Sequence, residues 1–217
     1  MPAGSAGALR VQPLARPLAR PLALGPVPSG AARHLPSRWG GVRPFLLGGA
    51  AVLIEWLRVL GVRQPGLDLV AQVGGGAALC ALVLAVPWRD IGFSRRRLAL
   101  RLGAGIAIAA VLLLPAVVRG AALPILPAGL LLPTALVAAG EEIAFRGALF
   151  AALDAAYGPA AAVIGSTAAF TLAHVLSHPV AFLPSVAALG LLLGLWRWAC
   201  RDLVAPVVAH VLADLAL

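Results

Sequence analysis

The sequence predicts an all-α, polytopic membrane bundle of about seven transmembrane helices, and three observations carry that prediction. Hydrophobic residues make up 61% of the 217 and the mean hydropathy is +0.98, which excludes an ordinary soluble domain. Several apolar runs approach the roughly 20 residues that a helix needs to cross a bilayer. The charges are also segregated. All 17 basic residues are Arg, against 8 acids, and the arginines gather at the edges of the apolar runs, where topology and anionic headgroups favour them. A formal charge of +9 would point to nucleic acid in a soluble chain. At these positions it reads as membrane topology, and no nucleic-acid partner is expected.

Residues 1–44 hold six Arg, many Pro and no acid. Proline at that density prevents a helix and favours extended or disordered chain, so this stretch is expected to be a disordered basic tail, or sequence ahead of the true start. An organellar targeting peptide shares the Arg-rich, acid-free composition but not the proline density. Residues 45–128 are expected to form the N-terminal transmembrane helices. The first, 45–62, carries Glu55 and Arg58 three apart, a pair that neutralises itself on one helix face. The second, 67–86, runs through Gly74-Gly75-Gly76, small residues that let helices approach closely in lipid. Pro87, Trp88, Arg89, Asp90 and Arg95-Arg96-Arg97 then make the clearest polar break, and 98–118 forms the third span. Arg119, Pro124 and Pro127 mark the following turn.

Residues 129–217 are expected to hold the functional core: a fourth helix over 129–153, a turn at 154–159, and further spans at 160–176, 180–200 and 203–217. Cys80 and Cys200 fit neither a disulfide framework nor zinc-ligand spacing and read as small core residues. The basic tail and the 87–97 break are separated by two spans and so share one side, cytoplasmic by the positive-inside rule. Seven spans then leave only Arg63 and Arg119 on the far side.

The exceptional stretch is Ala138 to Gly147, where Glu141, Glu142 and Arg146 interrupt an apolar helix. A charge at membrane depth costs about 3 kcal/mol on insertion scales, and more in simulations. Glu142 and Arg146 are four apart, the acid first, the favoured orientation for an ion pair. Glu141 lies about 100° around the helix on the side of Phe145 and Ala148, without that partner. Phe170 precedes His174 by one turn, and His178 beside Pro179 reads as a structural turn residue. His210 and Asp214, four apart, share a helix face. The acid there holds the imidazole in one tautomer or raises its basicity, or the two form a self-satisfied polar pair. At about 1.5 Å per residue, Glu141 and His174 flank the 155–158 turn at depths within roughly 5 Å of each other. By the same arithmetic His210 lies one or two turns shallower.

These residues resemble the motifs of the CPBP family of intramembrane proteases, which includes the CAAX prenyl protease 2 type and the bacterial Abi-type proteins. The family's EExxxR reads here Glu141-Glu142-x-x-x-Arg146, its FxxxH reads Phe170-x-x-x-His174, and its HxxxN or HxxxD reads His210-x-x-x-Asp214. The similarity spans residues 129–217. It implies an intramembrane endopeptidase acting on a membrane-associated peptide or protein. In that role Glu141 with His174 activates a water, Glu142 and Arg146 position the helix, and His210 stabilises the oxyanion. General-base work of this kind suits a carboxylate in a low-dielectric pocket. Asp214 departs from the asparagine of the prenyl-protease members; it must be protonated, or orient a charged His210.

Glu141, His174, His210 and Asp214 are zinc ligands by type, but there is no HExxH and the resemblance implies a metal-free mechanism, so no cofactor is expected. The competing reading is a non-catalytic membrane scaffold or bacteriocin-immunity-like protein. A proton-coupled transporter also uses intramembrane Glu and His but calls for an inverted repeat. The expected location is a prokaryotic plasma membrane, with the N-terminus cytoplasmic and the bilayer as a standing partner.

Overall fold

The structure, a computed structural model, describes residues 41–118 and 126–216. Among the described residues seven helices follow one another: α1 (Arg43–Val62), α2 (Asp68–Ala85), α3 (Leu98–Val118), α4 (Ala128–Tyr157), α5 (Pro159–Leu176), α6 (Val180–Cys200) and α7 (Val204–Ala216). No strand occurs among the described residues. The first six are long and apolar enough to cross a membrane, and the chain is an integral membrane protein.

Three expectations need correction. The tail assigned to 1–44 lies outside the described residues as far as 40, but Arg43 and Pro44 already belong to α1. Proline is tolerated there because the first-turn N–H groups have no helical partner to lose. The fourth helix does not stop at 153. It runs to Tyr157 and breaks at Gly158, whose φ of +85° is the left-handed conformation that glycine adopts without strain; one Asp near a helix end was not enough to end it. The seventh helix has 13 residues, about 20 Å, which is less than the roughly 30 Å of a bilayer core. Of the turn assigned after the third span, Arg119 and Pro124 lie outside the described residues.

Close packing follows the small residues. A methyl group on Gly140 of α4 would stand 2.7 Å from the carbonyl oxygen of Gly76 on α2, so these backbones touch, as interfaces of small residues in lipid allow. Gly75 faces Arg58 of α1, and Gly74 meets nothing. The glycine run is therefore a packing surface over two of its three residues. Large apolar side chains such as Leu57, Val70, Ile106, Val111 and Leu132 point outward, the arrangement expected where lipid is the solvent. Cys80 is half-buried and Cys200 exposed; neither belongs to the core.

Side-chain bridges show which helix ends share a side. Tyr157 donates to the Gly41 carbonyl at 2.7 Å. Arg101 at the start of α3 pairs with Asp202 before α7 at 2.9 Å, and Arg197 near the end of α6 donates to the Asp90 carbonyl at 2.6 Å. At the opposite ends Arg63, just after α1, donates to the carbonyl of Leu176, the last residue of α5. Helix ends thus alternate in the way the arginine distribution requires.

Candidate active site

The site is built on an irregularity in α4. Over Ile143–Leu149 the helix opens into π geometry, a wider turn that recurs at functional sites. Arg197 of α6 braces it, its Nε donating to the carbonyl of Arg146 at 3.1 Å. Gly190 leaves room beside it: a methyl there would meet Thr167, Arg146 and Phe170 at 3.2–3.3 Å.

Glu142 and Arg146 form the expected pair, Nη1 to Oε1 at 2.7 Å, both fully buried. The same Oε1 also accepts from His210 Nδ1 at 2.9 Å. One carboxylate therefore joins two motifs that are 68 residues apart. The Arg146 guanidinium lies 4.0 Å from the centre of the Phe170 ring, a cation–π contact. Phe170 in turn meets Phe145 edge-on at 5.5 Å and lies 4.3 Å from the His174 ring and 5.8 Å from that of His210. Phe170 is the spacer on which both imidazoles rest.

Glu141 stands on the other side of this wall. Its Oε2 is 3.5 Å from His174 Nε2 and 3.8 Å from His210 Nε2. That oxygen is buried and has no hydrogen-bond partner among the described residues. A buried carboxylate oxygen in this state requires a donor, and a water on the cavity side, touching this oxygen and the ring nitrogens, would supply one. His174 Nδ1 lies 2.8 Å from the Phe170 carbonyl, which can only accept, so Nδ1 carries a proton and Nε2, a lone pair in the neutral ring, faces Glu141. His210 Nδ1 likewise donates to Glu142. Asp214 Oδ1 is 3.6 Å from His210 Nε2, with its side chain 38% exposed. The one- or two-turn depth mismatch expected for His210 is absent: all four residues face one cavity of about 770 Å³.

That cavity has walls absent from the motif reading. Arg58 and Gln72 line it from α1 and α2, Thr134 from α4 and Ser185 from α6. These residues lie near the ends of α1, α5 and α7 and the beginnings of α2, α4 and α6, so the cavity occupies the Arg63–Leu176 end of the bundle, away from the 87–97 turn. His178 also lines it, stacked on Phe182 at 5.2 Å with the rings nearly parallel, so its turn position is also a cavity wall. Trp56 donates to the Leu172 carbonyl at 3.1 Å and Arg63 to that of Leu176. Together they clamp α1 to the chain on either side of His174. Glu55 and Arg58 carried the one available signal for α1, as the only charges inside that apolar run. Arg197 and Trp56 carried none, since their partners are backbone carbonyls. Among the described residues no group of three or more His, Cys, Asp or Glu is arranged to hold a metal ion.

Residues 123–216 match a family model described as type II CAAX prenyl endopeptidase Rce1-like. Over these residues the chain is similar to the CPBP/CAAX protease family. The match covers α4 to α7, and with them Glu141, His174, His210 and Asp214, while α1 to α3 with Arg58 lie outside it. No curated protein and no solved structure matches the chain.

Proposed function

We propose that this chain is an intramembrane endopeptidase that hydrolyses a peptide bond in a membrane-associated peptide or protein with a water activated by Glu141. The observation that carries the reading is the buried Oε2 of Glu141, without a hydrogen-bond partner among the described residues and beside the Nε2 atoms of two imidazoles in the wall of one cavity. A water there donates one hydrogen to Glu141 and the other to the His174 lone pair, which aims its oxygen at a carbonyl carbon. Glu141 takes the proton as the C–O bond forms and delivers it to the leaving amine. His210 in its imidazolium form offers Nε2–H to the oxyanion, with Asp214 beside it as counter-charge. Glu142 holds the other ring nitrogen. Glu142, Arg146 and Phe170 are positioning residues.

The test is proteolysis by the purified chain in liposomes. Glu141→Gln is expected to reduce cleavage by about 10²–10⁴-fold, the usual worth of a general base, while the protein stays folded and inserted. If both Glu141→Gln and His174→Ala retain full function, the scaffold reading stands in its place. Loss of cleavage with a chelator, restored by zinc, replaces the metal-free route.

The arginine bias further supports a cytoplasmic N-terminus, which turns the cavity end toward the opposite compartment. With Cys80 and Cys200 replaced by Ser, Ser177→Cys is then expected to react with an impermeant maleimide added outside intact cells. Labelling only after lysis reverses the orientation.

A further inference from the structure

Arg58 is a charged residue that the motif reading leaves unused, and it stands in the wall of the cavity that Glu141 faces. Two features of the structure hold it there. Glu55, fully buried, takes its Nε at 2.8 Å and also its Nη2, engaging one edge of the guanidinium. Gly75 of α2 leaves room for the stem: a methyl group there would stand 2.7, 2.8 and 2.9 Å from Cγ, Cβ and Cδ of Arg58. A part-buried ion pair is a weak source of stability, because exposed pairs contribute little and buried ones are commonly matched by apolar residues of similar volume. An ion pair with a dedicated glycine beside it and one side on the catalytic cavity is therefore better explained by what the cavity binds. Nη1 has no hydrogen-bond partner among the described residues, and 15% of the side chain is open. The free edge of a guanidinium presents paired N–H donors suited to a carboxylate. The other ionisable groups lining the cavity are Glu141 and Asp214, which repel an anion, and His174, His178 and His210.

We propose that Arg58 is a specificity-determining residue that binds a carboxylate of the peptide substrate. The inference rests on the endopeptidase reading for the word substrate, but its test does not. The full chain carrying Glu141→Gln, which leaves a peptide intact, is placed in nanodiscs. Binding is measured for one fluorescent, apolar short peptide made as the free acid, as the C-terminal amide, and as the amide with one internal Asp.

The free acid is expected to bind about tenfold or more tightly than the amide, the worth of a charge-assisted hydrogen bond. Arg58→Gln brings that ratio to near one, and Arg58→Lys restores part of it. Equal binding of all three peptides to the Arg58-containing protein overturns the proposal without any Arg58 variant. So does an acid-to-amide ratio that Arg58→Gln leaves unchanged. If the amide with an internal Asp binds as well as the free acid, the carboxylate read is that of an acidic side chain too; if it binds no better than the plain amide, the carboxylate read is the C-terminal one. A preference for the acid in a chain whose Glu141-containing form cleaves nothing retains the carboxylate site and removes the protease reading.

Discussion

Among the described residues two glutamate–arginine pairs lie inside the bundle, one fully buried and one partly open on its arginine side, and they differ in what else their members touch. Glu142 and Arg146 are both fully enclosed; the carboxylate is shared with His210, and the guanidinium rests on Phe170. Glu55 and Arg58 pair with each other alone, and Arg58 keeps one edge on the cavity. One pair is a structural keystone joining α4, α5 and α7, while the other is a bracket that holds a cation at a wet surface. Sequence spacing, four residues against three, does not distinguish these roles. The neighbours do.

The largest expected effect separates the pairs directly. Glu142→Gln leaves Arg146 without its counter-charge at full burial, a loss of about 3–5 kcal/mol. Glu55→Gln leaves a guanidinium that still reaches the cavity, and is expected to cost about 1–3 kcal/mol. Thermal melts of both variants in the same detergent check the order, and equal melting temperatures would break the comparison.

Arg197→Met sharpens the first pair from outside. It removes the donors to the Arg146 and Asp90 carbonyls and is expected to cost about 1–3 kcal/mol. Cleavage should also fall in protein that is still folded, because the π turn that follows Glu142 and carries Arg146 loses its brace. Unchanged stability and activity would detach Arg197 from the site.

The smallest effect is expected at Asp214. Its side chain is partly exposed, and at 3.6 Å from Nε2 it contributes charge without a close hydrogen bond. Asp214→Asn is expected to change kcat by less than about tenfold, whereas His210→Ala, which also strands Glu142, reduces it by at least 10². An Asp214→Asn loss as large as that of His210→Ala would make the acid an equal member of the site.

Apolar run lengths and arginine placement were sufficient for the helical membrane class, the order of the spans and the alternation of their ends, because burial in lipid constrains composition residue by residue. Helical spacing also identified Glu142–Arg146 as a pair and left Glu141 without a partner, since neighbours three and four apart meet within a single helix. The π turn, the Arg197 brace and the Trp56 and Arg63 clamps depended on the fold, because each joins a side chain to a backbone carbonyl far away in the chain, and a carbonyl leaves no mark on residue type. The same holds for Arg58. Glu55 beside it explained its charge locally, and only the packing of α1 and α2 against the core brought its free edge to the cavity that Glu141 faces.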